Sequence, residues 1–255
     1  MTYFIGDVHG QREKVERLLH DHHLVDSNLQ WTGGDATLWL MGDFVDRGSD
    51  GIGVIDIIMK LQAEAKEYGG AVHALLGNHD ILLLATHRFG EQPTTGPGGT
   101  FISDWLQCGG NPEDLARLRP HHIQWLTQLP ALALMGDTLV VHADATFYTR
   151  YGTTIEAVNH AFRAILVSDD SAAWDQILED FSERLHFMGE ENAPVLMQFL
   201  TTFGATNLIH GHTPIPYVTK MEPVSVTTPL VYAEGKCVNV DGGMYMGGAG
   251  FVYQD

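Results

Sequence analysis

Six residues of this chain are of types that bind cations, and each stands in a short block of its own. Asp7 and His9 stand in Gly6-Asp7-Val8-His9-Gly10, and Asp43 opens the longer block Asp43-Phe44-Val45-Asp46-Arg47-Gly48. Asn78 belongs to Gly77-Asn78-His79-Asp80, His142 to His142-Ala143-Asp144, and His212 to Gly211-His212-Thr213. An Asp and a His one residue apart project from the same side of an extended segment, so Asp7 and His9 can chelate one cation. Asp43 has two carboxylate oxygens and can bridge to a second. Asn78 offers a neutral carbonyl oxygen, and His142 and His212 offer imidazole nitrogens. Mixed nitrogen and oxygen donors suit Mn²⁺, Fe or Zn²⁺ rather than calcium, and the lack of Cys argues against a structural zinc site. Six ligands are few for two ions, which leaves positions for water and substrate, as a catalytic site requires.

Something must bring five distant blocks together. Each follows a short apolar run: Tyr3-Phe4-Ile5, Leu38-Trp39-Leu40-Met41, Val72 to Leu76, Leu139-Val140-Val141 and Leu208-Ile209. Runs of that length bounded by Gly read as buried strands. Five strands ending in Asp, Asn or His describe a centre at the carboxyl ends of strands in an α/β fold. The flanking glycines permit tight turns and close approach of backbone to an ion. One Gly-Asp or Gly-His alone would be an ordinary buried turn; the ordered series of five is not.

Between the strands, Gln11 to Leu24 is a predicted helix, and Gly51 to Tyr68 is a second, closed by Gly69-Gly70. Strand, helix, strand, helix, strand over this stretch implies βαβ units and a largely parallel sheet. Residues 90–100 form a Gly- and Pro-rich loop beside the third block, expected to be a lid or a pocket wall. Residues 101–200 read as mainly helical apart from the strand before His142. Val218 to Val252 read as antiparallel strands with turns at Glu234-Gly235 and Gly242-Gly243. With no repeat, linker or low-complexity stretch, residues 1–255 are expected to form one domain with a helical insertion.

The bulk properties narrow the partners. A chain of 255 residues with 44% hydrophobic and 18% charged residues is a soluble globular protein in composition. Its net charge of −18 argues against nucleic acid or an anionic membrane as a main partner. Bound cations would resolve the conflict between that charge and an anionic substrate. Cys108 and Cys237 form no CxxC pair, which suits a reduced, cytoplasmic setting with both thiols buried or inert. The chain enters a strand at Tyr3, so no signal peptide is expected, and no apolar run reaches membrane-spanning length.

The series Gly-Asp-x-His-Gly, Gly-Asp-x-Val-Asp-Arg-Gly, Gly-Asn-His-Asp, His-Ala-Asp and Gly-His-Thr resembles the calcineurin-like metallophosphoesterases. Within them it looks like the PPP-type phosphoprotein phosphatases, and from Trp31 to Asn78 most like the bacterial Shewanella-like phosphatases. The resemblance implies a metallophosphoesterase-type β-sandwich flanked by helices, with mixed sheets and a helical insertion between the third and fifth motifs. It implies two divalent ions, Mn²⁺ foremost with Fe or Zn²⁺ as alternatives. Asp7, His9 and Asp43 match the ligands of the first, and Asp43, Asn78, His142 and His212 those of the second. His79 matches the acid that protonates the leaving oxygen, Asp46 the carboxylate that orients it, and Arg47 a phosphate clamp. Elementary chemistry agrees: a His beside a dimetal centre can act as general acid, an adjacent Asp fixes its orientation, and a guanidinium suits phosphate oxygens. The implied nucleophile is a metal-bridging hydroxide that attacks phosphorus directly.

The sequence also departs from the pattern. The third block ends in Asp80 where phosphoprotein phosphatases usually carry Glu, a feature shared with diadenosine tetraphosphate hydrolases. Those relatives generally lack a pair like Asp46-Arg47. Pro214 stands where phosphodiesterase members carry a second His, which favours phosphomonoesters. The family's second phosphate-binding arginine is assigned to Arg184, 28 residues before His212, with Arg150 and Arg163 as rivals and a surface Arg on a helix as the plain reading. His210 and Asp144 are candidates to support ligands from behind. His20, His121 and His122 are read as surface. Asp21-His22-His23 spells the signature of an unrelated phosphoesterase group but lacks its other motifs. Asp241-Gly242-Gly243 reads first as a plain hairpin turn and second as a turn placed near the site. The expected activity is hydrolysis of phosphoserine, phosphothreonine or phosphotyrosine in proteins. The alternatives are hydrolysis of a dinucleoside polyphosphate and, in another class, a non-catalytic binding module.

Overall fold

Two mixed sheets face each other, and helices cover their outer sides. The computed structural model describes residues 1–255. The elements run β1 (Thr2–Ile5), α1 (Arg12–Asp21), β2 (Thr37–Leu40), α2 (Gly51–Glu67), β3 (Ala71–Ala74) and α3 (Asn78–Phe89). Next come α4 (Phe101–Gln107), α5 (Pro112–Arg117), α6 (Pro120–Gln128), β4 (Leu132–Met135), β5 (Thr138–Val141), α7 (Ile155–Val167), α8 (Ser171–Asp180) and α9 (Ala193–Phe203). The chain ends with β6 (Asn207–His210), α10 (Ile215–Thr219), β7 (Leu230–Tyr232), β8 (Cys237–Asn239) and β9 (Tyr253–Gln254). The first sheet has the order β3-β2-β1-β9 and the second β4-β5-β6-β8-β7.

The apolar runs are continuous because both faces of each strand are covered. Alternate residues serve different cores. Phe4, Trp39, Val140, Ile209 and Val238 point between the sheets, while Ile5, Leu38, Leu40, Leu139, Val141 and Leu208 pack beneath the helices. Fully burying a side chain of that size contributes roughly 1.5–3 kcal/mol, so slipping any strand by one residue would be costly.

Pairing directions decide where the blocks go. β1, β2 and β3 are parallel, and so are β5, β6 and β8. Their carboxyl ends therefore leave each sheet on one side, and the five blocks begin there. Region 101–200 is the helical insertion, running from α4 to α9.

Several expectations change. β4 appears inside the stretch expected to be helical, because Leu132 to Met135 form a hairpin with β5 around Gly136-Asp137. The first helix stops at Asp21 rather than Leu24, since His23 has a φ of 56°. Residues 218–252 are not an antiparallel sheet. Within them β7 and β8 pair that way, but β8 lies parallel to β6, and β9, just beyond, crosses to run antiparallel to β1 of the other sheet. His20, His22, His23 and His121 are exposed, but His122 is buried: its Nδ1 accepts from Arg119 N (3.1 Å) and Nε2 donates to Asp56 (3.0 Å). It caps α6, a task its surface reading missed. Cys237 is buried and Cys108 exposed, and burial holds both thiols above the usual range, so neither is activated.

Candidate active site

The six candidate ligands meet where the two sheets' strand ends converge. Asp7 accepts the backbone N–H of His212 from the other sheet (3.0 Å to either oxygen). Asn78 Oδ1 lies 3.0 Å from His142 Nε2 and 2.9 Å from His212 Nδ1. Asp43 sits between the two groups: Oδ2 is 3.6 Å from His9 Nε2, and Oδ1 is 3.5 Å from His142 Nε2. That is the position of a bridging carboxylate.

Backbone carbonyls fix the rings. His9 Nδ1 donates to Val45 O (3.1 Å) and His142 Nδ1 to Met41 O (2.7 Å), so each turns its Nε2 lone pair inward. Asp80 anchors the loop behind them, accepting from Asp43 N, Phe44 N and Gly77 N at 2.9–3.0 Å. A shorter acid reaches these three amides because α3 begins directly against the Asp43 turn. Gly77 is required there, since a Cβ would collide with Asp43 Oδ1 and the Asp43 backbone. Five site residues hold φ values between 42° and 66°: His9, Asp43, Asp46, Arg47 and His212. Such conformations are costly for non-glycine residues and persist where surroundings impose them.

The donors fit divalent cations. All six are buried apart from partly buried Asn78, and His212 Nε2 has no hydrogen-bond partner. Two triads, His9-Asp43-His79 and Asp43-His142-His212, gather their donor atoms within 4.8 Å. Burial drives His9, His142 and His212 below the usual imidazole range, which favours the neutral, ligating form. Burial would raise Asp43 too, but the imidazoles around it, His142 foremost, outweigh that and hold its carboxyl below the usual range. Asp7 goes the other way: burial and then the neighbours Asp241 and Asp43 raise it. Uncompensated buried carboxylates of this kind call for cations.

His79 stands beside this cluster with both nitrogens engaged. Nδ1 donates to Asp46 Oδ2 (2.8 Å), and Nε2 accepts from an Arg47 guanidinium nitrogen (2.8 Å). The other Arg47 nitrogen reaches His9 Nε2 (3.1 Å). Arg184 also lines the small cavity above Asp43, Asn78 and His212. It is exposed and lies beyond the end of α8, so it is no helix-surface arginine. Arg150 is instead tied to Asp180 and Glu183, and Arg163 lies on α7. Asp144 and His210 act from behind: Asp144 accepts from Thr213 Oγ1 (2.7 Å) and Leu185 N (3.0 Å), and His210 bonds the carbonyl of Gly211 (2.9 Å). Pro214 lines the cavity beside His212.

Three residues escaped the sequence reading. The Trp105 indole donates to Asp46 Oδ1 (2.7 Å), locking the carboxylate that faces His79. Tyr245 carries Arg47 on its ring face, 4.2 Å from the centroid. Asp241, read first as a hairpin turn and second as a turn near the site, is buried, and burial pushes its carboxyl up to about 7. No motif spacing marks Trp105 or Tyr245. Asp241 did carry a signal, an acid directly after a strand, like Asp7 and Asp43.

A groove of about 410 Å³ opens from His79, Arg47 and Arg184. Loop 90–100 forms its wall rather than a free lid. Asp104 accepts from Thr94 Oγ1 (2.5 Å) and Gly98 N (2.6 Å), and Asp175 from Thr95 N and Oγ1 (both 2.8 Å).

The calcineurin-like phosphoesterase family profile matches residues 2–216, and the chain belongs to that family. That family uses two divalent metals. Over 78 residues it is 37% identical to Shewanella-like protein phosphatase 2 of Arabidopsis thaliana, a match covering 31% of this chain and 20% of that protein. Over 223 residues it is 28% identical to the symmetrical bis(5'-nucleosyl)-tetraphosphatase of Shigella dysenteriae, covering 84% of this chain and 70% of the relative. The cold-active protein-tyrosine phosphatase of a psychrophilic Shewanella species shares the fold, with a TM-score of 0.72 at 22% identity, over 98% of this chain and 73% of that one. No helix of the chain is long and apolar enough to cross a membrane.

Proposed function

We propose that this chain is a metal-dependent phosphomonoesterase of phosphorylated protein side chains, serine, threonine or tyrosine, working in the cytoplasm with Mn²⁺. The observation that carries the reading is the line Asp46, His79, Arg47, with 2.8 Å at each step, laid against the donor cluster. When bound, two divalent cations supply charge neutralisation and an activated water at neutral pH. The side chains do the rest. Arg47, seated on Tyr245, and Arg184 hold the phosphoryl oxygens and neutralise their charge. With Arg47 turned from Nε2 to the phosphoryl oxygens, His79 can carry a proton on that nitrogen and give it to the leaving oxygen, while Asp46, locked by Trp105, keeps the ring aligned.

The groove supports a peptide over a polyanion. Its phosphate end carries Arg47 and Arg184, but its far side carries Asp104, Asp175 and Glu179. Glu179 is exposed and pairs with no cation, so a second nucleotide with its phosphates would meet like charge. Dinucleoside polyphosphate hydrolysis remains the second reading, favoured by the tetraphosphatase relative and by Asp80. Release of phosphate from p-nitrophenyl phosphate with Mn²⁺ tests the chemistry; equal turnover by wild type and Asp43→Asn would defeat it. Phosphopeptides assayed beside diadenosine tetraphosphate separate the substrates, and faster turnover of the nucleotide would replace the first reading with the second.

A further inference from the structure

Asp241 has no part in the ligand set carried over from the family, yet its surroundings are those of a ligand. It follows β8, which runs parallel to β6, so the topology that delivers His212 delivers Asp241 as well. The residue is 1% exposed. One oxygen is satisfied by backbone, since Oδ1 accepts from Gly243 N (2.9 Å). The backbone on either side is fixed too: Asp241 N donates to Asn239 Oδ1 (2.8 Å), and its carbonyl accepts from Ile215 N (2.9 Å). The second oxygen, Oδ2, is buried and has no partner at all. Leaving a carboxylate oxygen buried without a donor is among the more costly things a fold can do.

The packing brings this oxygen to a particular place. Gly6 lies so close to Val240 O and Asp241 Cα that any Cβ there would collide. The end of β1, which carries Asp7, is therefore pressed against the end of β8, which carries Asp241. Two guanidinium groups lie near enough to act on Asp241 by charge, but Arg47 is committed to His9, His79 and Tyr245, and Arg184 makes no bond to Asp241. Three buried carboxylates, Asp7, Asp43 and Asp241, thus face one region without a paired cation from the chain.

We infer that Asp241 is a further ligand of the metal centre, with Oδ2 an oxygen donor to the cation held by Asp7 and His9. The inference rests on the dimetal reading above and adds to it. It makes the first half of the centre richer in negative charge than the family ligand set alone. It also makes the metal-free chain bear a repulsion that the ion relieves.

Calorimetric titration of metal-free protein with Mn²⁺, with thermal melts at each end point, tests this. Asp241→Asn keeps an oxygen for Gly243 N–H and removes the charge. One of two Mn²⁺ sites is expected to weaken by about 10–100-fold, the other to stay unchanged. The metal-free variant should melt at or above the wild-type temperature, with a smaller rise on adding Mn²⁺. A merely structural role gives the opposite: a lower metal-free melting temperature, with unchanged Mn²⁺ affinities and an unchanged rise. That outcome overturns the inference while leaving the phosphoesterase reading intact, whereas wild type that takes up no Mn²⁺ overturns both. If the Asn variant fails to fold, Asp241→Ser, whose hydroxyl can still accept from Gly243, gives the same comparison.

Discussion

The two halves of the centre share Asp43 and little else. One half, from the first sheet and β8, brings the buried carboxylates Asp7 and Asp241 close enough for Asp241 to raise Asp7, with His9 two residues beyond Asp7. The other gathers neutral donors, with Asn78 Oδ1 between the rings of His142 and His212. Burial acts on both but in opposite senses. It raises the acids toward protonation and lowers the imidazoles toward neutrality. The acid half gains most from a cation's charge, while the imidazole half already holds its donors in ligating form. A pair of metals in one site therefore need not be held equally. The chain's sheets assign the charge, since each strand end contributes its own residue types.

Removing what the halves share should have the largest effect. Asp43→Asn leaves both cations short of a ligand and should lower kcat by about 10³-fold or more, near 4 kcal/mol of transition-state stabilisation. Metal content measured after dialysis should fall at both sites together; loss at one alone would mean that Asp43 does not bridge. The acid comes next. His79→Asn should cost about 10²–10³-fold in kcat with an alkyl phosphate. With p-nitrophenyl phosphate, whose leaving group needs little protonation, the loss should be markedly smaller. Equal losses on the two substrates would remove His79 from the proton-transfer role.

The halves also differ in how legible they were. Every member of the imidazole half follows an apolar run and carries a side chain with one evident use, so spacing exposed it. The acid half was read only in part. Asp7 stood out because His9 stands beside it, but Asp241 sits in Asp-Gly-Gly, a sequence that spells a turn with equal force. What separates the readings is the parallel pairing of β8 with β6, a long-range fact that no local window contains. Trp105 and Tyr245 were invisible for a similar reason. Their task is fixed by what they touch, Asp46 and Arg47, and a buried Trp on a short helix reads as core. β4 was missed because Leu132 to Met135 is an apolar run without period, which a helix and a strand share. His122 shows the converse error, a polar residue assigned to the surface whose ring in fact closes the first turn of α6.

Trp105→Phe sharpens the comparison from outside both halves. It keeps the aromatic bulk and loses one hydrogen bond to Asp46, worth about 1.5–3 kcal/mol to a charged acceptor at most. A several-fold drop in kcat is expected, with the pH profile of kcat displaced and Mn²⁺ affinity untouched. A change in metal affinity instead would place Trp105 in support of the centre rather than of His79.

The smallest effect is also the most direct contrast between the halves, the pH dependence of stability in metal-free protein. Asp241 is pushed up to about 7 when folded, against about 4 for an unfolded Asp, so between those values the folded state binds the extra proton. Its contribution is full below about pH 4 and is lost as pH rises through about 7. Asp7 and Asp80, raised for the same reason, add to that fall. His9, His142 and His212 have the opposite sign, because their folded pKa values lie below the unfolded value of about 6.5. There the unfolded chain binds the extra protons, and stability climbs as pH rises toward about 6.5. Melting temperatures of metal-free wild type from about pH 5 to 8 should therefore be flat or falling, as the acids offset the imidazoles. In Asp241→Asn an offsetting acid is gone, and the profile should rise through about pH 6.5 before levelling. Parallel profiles for the two proteins would mean that Asp241 is not held protonated in the metal-free fold, and the charge contrast between the halves would lose its main support.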